Sequence, residues 1–204
     1  MQESFGGAWT EGSQLSGTNL HSLRDLNRRF LELAAAGGGE WACRGFAGIA
    51  PRVAPLTPAQ REAAADCPYA LFDLRFRDAL HWQEALRDAR RYIVADERSM
   101  DAPTVDFVRL ALFYAWHIAS TAGLTAQLLL GMSADTAAIF RATTLDSLPF
   151  LAVTEGSHLT ARWSESAVYW SALAGAASGD NPVALRRVQL HGLQLAAASR
   201  LLHN

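Results

Sequence analysis

Lysine does not occur in this chain of 204 residues: all 18 basic residues are arginine. That bias, with the abundance of alanine, is what a GC-rich coding sequence produces, and it carries no information about function. Charge of either sign is scarce, at 19% of residues, and 18 basic against 20 acidic residues leave a net charge of −2. A protein held to nucleic acid mainly through phosphates carries a basic excess, so the balance argues against one. Cysteine is confined to Cys43 and Cys67, with no CxxC or Cys/His spacing. Buried free thiols are the expectation, and an interchain disulfide is the alternative. There is no GxSxG, no P-loop and no GxGxxG, so no enzyme class announces itself. What is abundant is apolar character: 50% of residues are hydrophobic, which excludes a wholly disordered chain and supplies a real core.

Met1 to Gly17 carries Glu3 and Glu11 and no apolar run, unlike a secretory signal, and a cytoplasmic location is expected. Its glycines, with Ser13, read as a mobile leader. Leu110 to Ala134 is uncharged throughout and long enough to span a bilayer. Yet His117, Ser120, Thr121, Thr125 and Gln127 are spread through it and no arginine cluster flanks it, so a buried central helix is expected, with no membrane contact.

Period-3.6 patterns dominate and alternating runs are scarce. Thr18 or Asn19 caps a first helix that places Leu20, Leu23, Leu26, Phe30, Leu31 and Leu33 on one side and stops at Gly37-Gly38-Gly39. A short helix follows over Trp41 to Ala47. Thr57 before Pro58 is a cap followed by proline at the first helical position. Tyr69 to Phe76 is the one place that suits a short strand. Further helices are expected at Ala79–Val94, Thr104–Leu130, after the caps Ser133 and Thr144, over Ser164–Ala177 and over Pro182–Leu202. The last should turn Val183, Leu190, Leu193, Leu195, Ala197 and Leu201 inward and Arg186, Arg187 and Arg200 outward. Residues 1–102 hold 26 charged residues and 103–204 hold 12, so the second half is the more buried one or the one that meets a partner.

Sliding the chain by 87 lays Thr57–Trp82 over Thr144–Tyr169 without a gap. Thr57 then meets Thr144, Ala65 meets Ala152, Arg75 meets Arg162, Phe76 meets Trp163, Asp78 meets Glu165 and Trp82 meets Tyr169. The shared pattern is a cap, a short helix, an apolar segment, an Arg-aromatic pair, an acid and an aromatic. It suggests a tandem duplication of a helical module of about 70 residues, against coincidental bundle patterning.

Gly131-Met132-Ser133, Thr144-Leu145, Leu148, Leu151-Ala152, Thr154 and Arg162-Trp163 resemble the FlhD family, helical subunits of the flagellar master transcriptional activator. The first half carries Leu56-Thr57-Pro58-Ala59-Gln60, Ala65 and Leu74-Arg75-Phe76-Arg77-Asp78 in the same order. The resemblance covers roughly 20–80 and 107–166. It implies a mostly helical, dimer-forming subunit that acts through a protein partner at promoters, with a fused tandem forming its pseudo-symmetric pair within one chain. The helix after Pro182 has no counterpart in the family, and the Gly-Ile-Ser step is reduced to Gly48-Ile49-Ala50.

Gln127 to Ala137 has the cadence of a helix-turn-helix, with Ala134–Ala142 as its second helix. That helix offers Asp135 and Arg141 but no basic cluster, so direct DNA binding is not expected, and Arg141 is its weak candidate contact. The histidines at 21, 81, 117, 158, 191 and 203 show no HxxxH or HxH spacing, so structural or solvated roles are expected and no metal or cofactor is called for. Trp82, Trp116, Trp163, Tyr169 and Trp170 read as core anchors. Arg75-Phe76 and Arg162-Trp163 are the candidate partner surface, since tryptophan and arginine are enriched at interface hot spots.

Together these readings predict an all-α multi-helix bundle: a leader at 1–17, modules at 18–102 and 103–180, and a terminal helix at 181–204, with a single compact domain as the alternative to separate modules. The functional expectation is a regulatory or adaptor protein, not an enzyme, working through a protein partner or a homo-oligomer such as a dimer. The alternative is a helical small-molecule-binding protein or enzyme with a site along 104–130, where His117 and Gln127 are polar groups on an apolar element.

Overall fold

A computed structural model describes residues 17–37, 46–89, 102–179 and 181–201. The leader up to Ser16, most of the Trp41–Ala47 helix, Cys43 and the charged segment 90–101 lie outside the described residues. Among the described residues, ten α-helices and one two-stranded sheet make up the fold, which is all-α as expected. The helices are α1 (Gly17–Ala35), α2 (Ala50–Val53), α3 (Pro58–Ala65), α4 (Ala79–Ala89), α5 (Ala102–Thr121), α6 (Gly123–Leu130), α7 (Ala134–Ala142), α8 (Leu148–Glu155), α9 (Ala167–Ser178) and α10 (Pro182–Leu201). Strands β1 (Phe72–Asp73) and β2 (Thr160–Ala161) pair antiparallel, Phe72 opposite Ala161 and Asp73 opposite Thr160.

Local chemistry explains most boundaries. Thr57 opens α3 with a full capping box: the Gln60 N–H donates to Thr57 Oγ1 at 3.3 Å, and the Thr57 N–H donates to Gln60 Oε1 at 2.8 Å. Ser133 caps α7 by accepting from the Thr136 N–H at 3.0 Å, and Ser166 caps α9 through Tyr169. The expected single helix over Thr104–Leu130 is instead two. Ala122, at φ −153 and ψ 71, leaves the helical region between α5 and α6. Thr121 Oγ1 donates back to the His117 carbonyl just before the break, and Gly123, a poor helix former, follows it. Among the described residues, no helix is long and apolar enough to cross a membrane.

Among the described residues the two halves share an order of elements apart from one helix: α1, α2, α3, β1, α4 in the first, and α5, α6, α7, α8, β2, α9 in the second, where α6 is additional. At the centre α1 packs on α5. Helix α1 also packs on α2 and α3, as α5 does on α7 and α8. The last helix of each half crosses over: α4 lies against α7 and α8, and α9 lies against α2 and α3. From the strands onward the backbone recurs at an offset of 88, not 87. Arg75 and Trp163 both have φ 54. The Asp78 N–H donates to the Arg75 carbonyl and the Ser166 N–H to the Trp163 carbonyl, while Trp82 N–H and Trp170 N–H reach Asp78 and Ser166. Arg75 therefore corresponds to Trp163, Asp78 to Ser166 and Trp82 to Trp170. The ungapped pairing of Arg75 with Arg162 and Trp82 with Tyr169 misses one extra residue of the second half, where a 3-10 turn over Gly156–His158 precedes β2.

Aromatic rings fill the middle. Phe30 lies 5.3 Å from Phe46 and 5.9 Å from Phe107 between ring centroids, and Phe72 meets Phe107 edge-on at 5.1 Å. Trp82 and Trp170 are buried core anchors as expected.

Helix α10 docks on α9 with a different face from the one its leucines suggest. Val183, Leu190 and Leu193 are exposed, while Leu185, Val188, Gln189, Leu195 and Ala196 turn inward. Arg186 and Arg187 are exposed as expected. Two contacts decide the rotation. Gln189 Nε2 donates to the Asp66 carbonyl at 2.8 Å, and Gly192 lies so close to the Tyr69 hydroxyl that a β-carbon there would collide with it. Glycine costs about 1 kcal/mol inside a helix relative to alanine, and here it admits the ring. Gly192→Leu is expected to detach α10 and lower the melting temperature by several degrees, with faster amide exchange in 182–199. Unchanged exchange would count against this docking.

Candidate functional site

Two crossings join the halves, and they carry different chemistry. At the first, α4 meets the end of α8. Asp78 caps α4 by accepting from the His81 N–H at 3.0 Å, and its other oxygen takes Arg75 Nη2 at 2.8 Å. The His81 N–H, then Arg75, hold the Asp78 carboxyl below its usual range. Arg75 Nη1 lies 3.2 Å from His81 Nδ1, and His81 Nε2 lies 2.6 Å from Glu155 Oε2. His158 Nδ1 reaches the same oxygen at 3.0 Å. Arg75 can only donate, so His81 Nδ1 accepts and the ring proton sits on Nε2; His158 carries its proton on Nδ1. The side chain of Glu155 is 5% exposed, that of His81 15% and that of His158 37%. The cluster is thus a buried carboxylate between two imidazoles, open to solvent on the His158 side. Its three donor atoms lie within 4.8 Å of one another, close enough to hold a metal ion.

The second crossing holds Tyr169, the counterpart of His81 at an offset of 88, beside Cys67. Tyr69 and Tyr169 share a hydrogen bond between hydroxyls at 3.0 Å. Burial pushes both phenols up, and pushes the Cys67 thiol up to about 12, so this free cysteine is an inert core group. Helix α10 covers this crossing through Gly192.

Of the sequence-derived partner residues, Phe76 and Arg162 are buried, Trp163 is half-buried and Arg75 is exposed. Phe76 is fully buried, stacked 6.2 Å from Trp82 and 6.0 Å from Phe140. Arg162 is buried with its Nη1 donating to the Leu129 carbonyl at 3.1 Å, and its guanidinium carbon lies 4.8 Å from the Trp163 ring centroid. Burial pulls its pKa down to about 10. The carbonyl that it holds belongs to the last turn of α6, where a cation is favoured. Trp163 is half-buried, edge-on to Tyr69 and Tyr169. Only Arg75 of the four is substantially exposed, and it is engaged with Asp78 and His81. Arg-aromatic pairs read from sequence alone look like hot spots; strand and turn geometry turn three of these four side chains into the protein. Arg141 is exposed in the last turn of α7.

Exposed apolar side chains lie elsewhere. Leu110 and Phe113 on α5, then Leu124 and Leu128 on α6, stand 44%, 37%, 71% and 45% exposed. Leu110 and Phe113 share one face of α5 with His117, Leu124 and Leu128 share one face of α6, and all lie within the uncharged stretch from Leu110 to Ala134. The opposite side of α5, with Val108, Ala111, Leu112, Ala115, Ile118 and Ala119, is buried. His117 therefore faces solvent, not an internal site, and Gln127 is half-buried. A groove between α1 and α3 is lined by Arg24, Arg28, Glu62 and Asp66, charges of both signs, and Arg24 pairs with Asp66 across it.

No family model, curated protein or solved structure matches the chain.

Proposed function

We propose that the chain is an FlhD-like transcriptional regulatory or adaptor protein that works by protein–protein contact. In this reading, a duplicated module has fused into a single-chain counterpart of a two-subunit assembly. The recurring element order and the reciprocal crossing of α4 and α9 support the duplication. The observation that carries the functional reading is the exposure of Leu110 and Phe113 on α5 and of Leu124 and Leu128 on α6, all within one uncharged stretch. Large apolar side chains left in water cost solubility unless a partner covers them. The second half of the chain, poor in charge, is then the half that meets the partner. Regulation at promoters would follow through that partner, with Arg141 the only basic side chain on α7.

The test is a double replacement, Phe113→Asp with Leu124→Asp. Helix content is expected to stay close to that of the parent, with only a modest fall in melting temperature, because Leu124 stands 71% exposed and Phe113 37%. Self-association, read by light scattering, or crosslinking to a partner in the native host from a photoreactive residue at 124, is expected to vanish. Both measurements unchanged would overturn the reading.

A further inference from the structure

We propose that His81, Glu155 and His158 form a binding site for a divalent transition-metal ion, with zinc the best fit. This goes beyond the adaptor reading and does not depend on it. Two imidazole nitrogens and one carboxylate oxygen are the donor set that zinc takes with a position left open; calcium and magnesium prefer oxygen shells. In a tetrahedral shell with bonds of about 2.0–2.1 Å, neighbouring donors stand about 3.3 Å apart. The present separations are 2.6 Å from Glu155 Oε2 to His81 Nε2 and 3.0 Å to His158 Nδ1. Widening each of these by less than 1 Å brings both toward that spacing, with all three donor atoms already within 4.8 Å of one another. The carboxylate is already desolvated at the end of α8, and the partly exposed His158 leaves a path for the ion and for a fourth, non-protein ligand.

The proton inventory closes. Each neutral ring moves its proton to the far nitrogen, from Nε2 to Nδ1 in His81 and from Nδ1 to Nε2 in His158, and the ion replaces the two protons that Oε2 accepted. His81 Nδ1–H then faces Arg75 Nη1, donor against donor. Arg75 must retreat onto Asp78, which it already holds. Arg75 thus opposes occupancy, and removing its charge favours the ion.

Titration of chelator-treated full-length protein with zinc chloride, followed by calorimetry, tests the site. One equivalent is expected to bind and to raise the melting temperature. His158→Ala, a change at a partly exposed side chain, is expected to weaken binding by more than the ~10–100-fold that loss of an outer-shell partner costs. Arg75→Gln, whose amide oxygen can accept from Nδ1–H, is expected to tighten binding several-fold. No binding by the parent, or equal binding by parent and His158→Ala, overturns the proposal. Unchanged or weaker affinity in Arg75→Gln places the ion off His81 Nε2 and overturns it as well.

Discussion

Asn27→Leu is expected to destabilise the protein by about 3–5 kcal/mol, seen as a fall in the urea midpoint. Asn27 is fully buried on α1. Its Nδ2 donates to the Tyr69 carbonyl at 2.9 Å and the Ala65 carbonyl at 3.2 Å, and its Oδ1 accepts the Leu71 N–H at 2.9 Å. One side chain therefore serves three backbone groups of the connector between α3 and β1. The Ala65 carbonyl keeps a second partner in the Cys67 N–H, but among the described residues the Tyr69 carbonyl and the Leu71 N–H have none besides Asn27. A buried group left without its bond costs about 1–3 kcal/mol. The effect should spread, because the Leu71 carbonyl receives the Arg162 N–H and so links this connector to β2. Asn27→Asp should be no milder: it keeps the acceptor, loses both donations and buries a charge. A loss below 1 kcal/mol in both variants would show that the connector is held by packing alone.

Gly131→Val should cost a similar amount, about 3–5 kcal/mol, by a different route. Gly131 ends α6 at φ 74, a region that costs an L side chain about 1–2 kcal/mol. A β-carbon there would also run into the Arg162 guanidinium. Displacing that group takes a buried cation from the Leu129 carbonyl, and disrupting a buried charged contact is strongly destabilising. The two causes separate in a double-mutant cycle. Arg162→Met removes the obstruction, so the pair Gly131→Val with Arg162→Met should be less destabilised than the sum of the single changes by at least about 1 kcal/mol. Strict additivity would leave only backbone strain.

Helices and caps were legible because they depend on neighbours in sequence. Thr57-Pro58 with Gln60, Ser133, and the breaks at Pro68 and Gly131 all act within a few residues. Burial was legible where one face is strongly apolar, as on α1, and misread on α10, where leucines face outward and a glycine and a glutamine face inward. There the deciding atoms, the Asp66 carbonyl for Gln189 and the Tyr69 hydroxyl for Gly192, each lie 123 residues away in sequence. The strand β2 was missed because two residues, Thr160 and Ala161, carry no period. The His81, Glu155 and His158 cluster left only a faint trace, an acid and a histidine three apart. Its third member is 74 residues upstream and arrives through the crossing of α4. The Arg-aromatic pairs failed for the opposite reason: they are local signals, but the positive φ at Arg75 and Trp163 decides which member points out.

The crossing of α4 also sets an order in time. Trp82 and Phe76 are covered by Phe140, at ring-centroid distances of 4.7 and 6.0 Å. A ribosome extending the chain at about 5–20 residues per second needs several seconds after Trp82 to supply α7 and α8. Through that interval the first half has its strand without a neighbour and two large aromatic rings in water. The nascent chain is then a natural client for a chaperone, and slow or paused translation between α4 and α8 should lower the yield of native protein more than a pause placed after α9.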